Sequence, residues 1–210
     1  MSTAGPTCGD IALAIAEPLV GTASAASHWL LIEHPSAWGS HVVNDIVDPD
    51  ARAALKERGI TALAVRTASQ RSIDRPLRLW LVDGARMSAV VWECEGSDVR
   101  DAEVRSLALT GSAPEHAHPW SDPLLLVCTN GKRDVCCAVA GRAIMSNISA
   151  EHAPFILESS HLGGHRFAGV TLLLPAGYMH RCVDAAHATR ILEKARIGQL
   201  EAHGCAGAPA

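Results

Sequence analysis

Apolar residues occur along this chain in short bursts, separated by polar stretches that hold most of its glycines and prolines. The first clear burst, "WLLIEH" (29–34), has the continuous apolar character of a buried strand. "DPDARAALKERG" follows and predicts a helix, with Asp48 placed to cap it, Pro49 at its first position and Gly59 at its end. "TALAVRT" reads as a second strand, and "LRLWLVDGARMSAVVWECE" as a hairpin turning at "DGA". "SDVRDAEVRSLALTG" is expected to be a helix opened by Ser or Asp and stopped by Gly111.

The same order then returns. "PLLLVC" is a strand, "DVCCAVAGRAIMSNI" a helix, "PFILESS" a strand, and "FAGVTLLLPAGYMHRCV" a hairpin about "PAGY". "DAAHATRILEKARIGQLEAHG" predicts an amphipathic terminal helix with Ile191, Leu192, Ala195 and Leu200 along one face. Each half reads strand, helix, strand, strand, strand, helix, with matching elements about 95 residues apart. The expected fold is therefore α/β, built from two thioredoxin-like halves. Residues 1–110 form the first half, 111–123 a linker rich in Pro, Ser and His, and 124–210 the second half.

At 210 residues, 48% hydrophobic and 19% charged, the chain can bury a substantial core and does not read as disordered. A formal net charge of -4 gives no support to nucleic acid or a membrane surface as partner. No apolar run reaches membrane-spanning length. The N-terminus lacks the positive start of a secretory leader and is interrupted by Asp10 and Glu17, so a cytoplasmic location is expected.

Seven cysteines is an odd number, which argues against a disulfide framework. Cys8, Cys94, Cys182 and Cys205 stand singly and are expected to be ordinary thiols. The other three crowd into "CTNGKRDVCC" (128–137), and downstream comes "HLGGH" (161–165). The matching first-half loops are "HPSAWGSHVVND", which has no cysteine, and "TASQRSIDRP", which has no histidine. Soft-ligand candidates thus occupy the second half alone, which points to a specialised site there. Thiolates and imidazoles suit iron, zinc or copper rather than hard cations. Lys132, Arg133 and the helix start favour the thiolate forms of Cys128 and Cys137. Gly163 and Gly164 suit a bent loop that turns both imidazoles inward. Cys136 points about 100° away from Cys137 on a helix and is expected to be a buried hydrophobe.

"CTNGKRDVCC" followed by "ESSHLGGHRFAGVTLLLPAG", with "EPLVGTA" and "HWLLIEHPSAWG" upstream, resembles the sucrase/ferredoxin-like proteins, also described as thioredoxin-like ferredoxins, over nearly the whole chain. The resemblance implies a [2Fe–2S] cluster with Cys128, Cys137, His161 and His165 as its ligands. It further implies a one-electron carrier that serves a redox partner protein, rather than an enzyme with its own substrate. Two thiolates and two neutral imidazoles leave such a site neutral, and comparable centres span about −150 to +300 mV against roughly −400 mV for all-cysteine ferredoxins. The free N–H of each imidazole offers a route to proton coupling. No nucleotide fingerprint or glycoside-cleaving carboxylate pair is present, so "sucrase" is not taken literally. Two other readings stay open. His-x₃-His fits a zinc-stabilised interaction module, although Cys-x₈-Cys is wide for one. A thiol oxidoreductase would suit the scaffold, but there is no Cys-x-x-Cys.

Overall fold

A computed structural model of the chain describes residues 8–23, 26–67 and 75–208, with the backbone alone for Asp10, Leu13 and His165. The helices and strands follow local signals closely. Strand β1 (His28–Glu33) leads through the short helix α2 (Val42–Ile46) to α3 (Pro49–Glu57). Asp48 caps α3 by accepting from the backbone N–H groups of Asp50 and Ala51 at 2.9 and 3.2 Å. Gly59, with φ +71, turns the chain into β2 (Ile60–Arg66). Strands β3 (Leu77–Asp83) and β4 (Ser88–Cys94) form the expected hairpin. Helix α4 (Gly96–Thr110) ends where Gly111 adopts the left-handed conformation and donates to Leu107 O at 2.7 Å. Its N-cap is Glu95, whose side chain makes no capping bond, so the expected Ser or Asp start is corrected by two or three residues.

The second half contains β6 (Leu124–Cys128), α5 (Val135–Met145), β7 (Ile156–Ser159), a 3-10 turn (His165–Phe167), β8 (Val170–Leu174), β9 (Tyr178–Arg181) and α6 (Ala185–Arg196). Helix α6 is shorter than its periodicity suggests. Gly198 at φ +71 breaks it, so Ile191, Leu192 and Ala195 pack on the helix but Leu200 lies beyond it and is exposed. Besides α2 and the 3-10 turn, which fall in stretches read as loops, three elements escaped the hydrophobic pattern. A short α1 (Cys8–Ala14) sits in the N-terminal lead and packs against the 3-10 turn. Strand β5 (His118–Trp120) lies within the stretch read as linker, and β10 (Cys205–Gly207) near the C-terminus. Both are three residues long, too short to show alternation.

Among the described residues the strands form one ten-stranded mixed sheet, in the order β10-β9-β8-β6-β7-β2-β1-β3-β4-β5. Strands β1–β5 and β6–β10 follow the same relative order, and the two sets meet edge to edge where β2 pairs antiparallel with β7. One face carries a single apolar layer across both halves, including Leu31, Leu63, Val65, Leu126, Cys128, Leu157 and Leu172. The opposite face is divided. Helices α3 and α4 cover one patch around Leu30, Leu79 and Trp92, while α5 and α6 cover another around Leu125, Ile156 and Ile191. Ala64 N–H donates to Ser160 Oγ at 3.1 Å and Ser160 N–H to Ala64 O at 2.8 Å, extending the seam beyond the strands. No helix among the described residues is long and apolar enough to cross a membrane.

Candidate metal centre

Cys128 is the last residue of β6 and is fully buried on the shared apolar face. The chain then turns through Thr129–Arg133 and enters α5, whose N-cap is Asp134, accepting from Cys136 N at 2.8 Å. This places Cys137 in the first turn of α5, directed back toward the strand end. Gly141, one helical turn on, rests against the Cys128 carbonyl so closely that a side-chain carbon there would overlap the oxygen. Just beyond β7, Ser160 is tied to Ala64 across the seam, and the chain after it delivers His161. Gly163 and Gly164 have φ +85 and +61, values that favour glycine and bend the loop into the 3-10 turn.

These three segments converge. One donor atom each from Cys128, Cys137 and His161 lies within 4.8 Å of the other two. The His161 Nδ1 atom is 3.9 Å from Cys128 Sγ and 3.8 Å from Cys137 Sγ. Leu162 and Phe167 belong to the same apolar cluster as both cysteines, while His161 is half-buried. The backbone of His165 opens the 3-10 turn, and its side chain lies outside the described residues. Cys136 is buried but is not part of the group. It lies instead beside Cys8 on α1, whose pKa it raises, first through its charge.

The two site thiols share a proton unequally. A hydrogen bond from the Cys137 thiol, aided by His161 and the Leu162 backbone, lowers the Cys128 pKa to about 5 despite its burial. Cys137, as the donor in that bond, is pushed well up, and burial adds to the effect. The His161 imidazole is raised first by its hydrogen bond to Cys128. Thiolate character in Cys128 therefore comes from Cys137 and His161, with neither Lys132 nor Arg133 among its leading causes. Arg133 is engaged elsewhere, its Nη1 donating to His41 Nε2 at 2.9 Å.

The residues that support the site were less visible in sequence than its donors. Glu158 accepts from Thr129 Oγ1 at 2.8 Å and from Arg66, bracing the loop after Cys128. Ser159 is the register partner of Cys128, fully buried, with a hydroxyl that has no hydrogen-bond partner among the described residues. Asp134 could have been found, since an Asp before an apolar helical run is an N-cap signal. Glu158, Ser159 and Gly141 owe their roles to tertiary contacts that no local pattern encodes.

The donors suit a soft or borderline transition metal, because the group contains two sulfurs and a ring nitrogen and no carboxylate. No curated protein and no solved structure matches the chain. The sequence pattern of one family, sucrase/ferredoxin-like, matches residues 19–202 and so spans both halves and the whole of the group just described. The chain belongs to the sucrase/ferredoxin-like family.

Proposed function

We propose that Cys128, Cys137, His161 and His165 hold a [2Fe–2S] cluster and that the protein carries single electrons to or from a redox partner protein. The observation that carries this reading is the buried group of two thiols and an imidazole, assembled from three segments in a chain of ferredoxin-like family. When bound, a cluster with two cysteine and two histidine ligands supplies one-electron chemistry at a higher potential than an all-cysteine one. Cys128 offers a thiolate with little rearrangement, and Cys137 releases its proton on loading, so assembly should be favoured at higher pH. Leu162 and Phe167 keep water from the sulfur side. His161, half-buried, lines a surface hollow with His41, Arg133 and Ser160, which is where the redox partner should dock. His165 is assigned by its place in His-x-Gly-Gly-His.

The donor separations favour one second reading. Ligands about 2.3 and 2.0 Å from a single tetrahedral metal lie roughly 3.6 Å apart, close to the 3.8 and 3.9 Å here. A zinc ion that stabilises the fold would satisfy this. A visible spectrum of freshly purified protein, with iron, acid-labile sulfide and zinc measured on the same sample, separates the two. A red-brown protein with two irons and two sulfides per chain is expected. A colourless protein with stoichiometric zinc would overturn the cluster.

A further inference from the structure

Beside the metal group, on the helical side of the seam, lies a cavity of about 180 Å³ lined by Trp38, Arg66, Thr129, Asn130, Lys132 and Arg142. Its walls come from both halves of the chain, and its charge is uneven. Arg66 is matched by Glu158, which takes its Nε and Nη2 hydrogen bonds, while Nη1 goes to Ser36 O. The side chains of Lys132 and Arg142 have no ion-pair or hydrogen-bond partner among the described residues. Arg66 and Glu158 cancel, so two positive charges remain.

Asn130 adds a requirement of the opposite kind. It is 3% exposed, and its Nδ2 donates to Gly39 O at 3.1 Å, which fixes the orientation of the amide. Among the described residues, the Asn130 Oδ1 atom is then a buried acceptor with no partner. A buried polar atom left in this way is costly unless something donates to it. The neighbouring Thr129 hydroxyl does not serve, because it is spent on Glu158. A matching ligand therefore carries negative charge for Lys132 and Arg142 and an N–H or O–H for Asn130.

We propose that this cavity is a binding site for a small protonated oxyanion, free hydrogen phosphate, which keeps a hydroxyl at neutral pH where a phosphate monoester is mostly a dianion without one. Lys132 and Arg142 neutralise its charge, Asn130 Oδ1 accepts from its hydroxyl, and Arg66 is held beside it by Glu158 and the Trp38 ring. Phosphate retains a hydroxyl proton at neutral pH whereas sulfate of the same shape does not, so Asn130 distinguishes the two. The site does not depend on the identity of the metal.

The test is calorimetric titration of the full-length, metal-loaded protein in phosphate-free, low-salt buffer with inorganic phosphate, sulfate and glycerol phosphate. Metal content and spectrum are recorded on the same samples. Saturable phosphate binding is expected, about tenfold tighter than sulfate, weakened about tenfold in Lys132→Ala/Arg142→Ala, and weaker in added salt. Both replaced side chains are exposed, so the variant should fold. Phosphate should bind more tightly than glycerol phosphate, whose ester phosphate has mostly lost its proton at neutral pH, and the reverse order overturns the assignment to the free ion. The site is overturned if phosphate shows no saturable binding tighter than on the order of 1 mM, or if the double variant binds as the parent does. Equal affinity for sulfate and phosphate overturns the assignment of Asn130.

Discussion

Arg66 and Glu158 are register partners across the seam between the halves, and Arg66 Nε and Nη2 both donate to Glu158 Oε2, at 3.0 and 2.8 Å. The Thr129 hydroxyl, one residue beyond Cys128, donates to the same oxygen at 2.8 Å. A single carboxylate thus connects the ligand-free half to the loop that leaves the first candidate ligand.

Breaking this pair from one side should be costly. Both side chains are mostly buried, and removing either strands the other charge. Arg66→Met is expected to destabilise the protein by about 3 kcal/mol, in the range seen for broken buried pairs, while Arg66→Met/Glu158→Met recovers much of the loss. Urea unfolding of the three proteins checks this. A single variant within a few tenths of the parent would show that the pair is well solvated.

Gly141→Ala tests the close approach of α5 to β6. The added methyl would overlap the Cys128 carbonyl, so helix or strand end must shift. Overpacking of this kind costs about 1–3 kcal/mol, and metal content should fall while circular dichroism still reports a folded chain. Full metal occupancy in this variant would mean the junction is softer than its geometry implies.

The cysteines should separate cleanly. Cys128→Ser and Cys137→Ser are expected to lose or badly impair metal binding, whereas Cys136→Ser keeps the parent spectrum because its thiol lies outside the group. The opposite result for Cys136 and Cys137 would shift the ligand register by one residue.

How far the residues announced all this differs by feature. Asp48, Pro49, Gly59 and Gly111 mark their helix ends by local chemistry, and the structure uses all four as read. Cys128, Cys137 and His161 were recognisable because soft donors concentrated in one half, and they do meet. The joining of the halves was not legible. Strands β2 and β7 each look like any buried strand, and which of two apolar edges finds which is settled by packing across 90 or more residues, as Val65 with Ser159 shows. Leu200 failed for a local reason, since Gly198 breaks the helix before it.

Two histidines should make stability sensitive to acid. His180 and His187 are buried, and each is hydrogen-bonded through Nε2 to a carbonyl, of Glu201 and His203 respectively. Burial lowers both pKa values from 6.5. The unfolded chain therefore takes up protons at these positions before the folded one does, and their contribution, complete above about pH 6.5, is lost as pH falls through the folded values. Urea midpoints should fall between neutral pH and about pH 5, less so in His180→Gln/His187→Gln. A slope that the double variant leaves unchanged would assign the effect to other groups.

If imidazoles ligate iron, their free N–H groups should couple proton to electron. Between the oxidised and reduced pKa values the potential is expected to fall by about 59 mV per pH unit for one proton per electron. Voltammetry across pH checks this, and a flat line over the folded range would leave electron transfer without proton coupling.

The pairing of β2 with β7 also bears on what happens when the chain is divided. With β2 gone, β7 becomes a bare sheet edge whose backbone amides and carbonyls, satisfied at Val65 and Arg66 in the whole protein, face solvent beside the apolar Leu157. Such an edge is adhesive, and it already accepts an antiparallel neighbour. Residues 124–210 alone should therefore run on a sizing column as a pair of copies, or precipitate, rather than as a small free-standing ferredoxin. The N-terminal half occupies, in this sense, the edge through which two such C-terminal halves would otherwise pair.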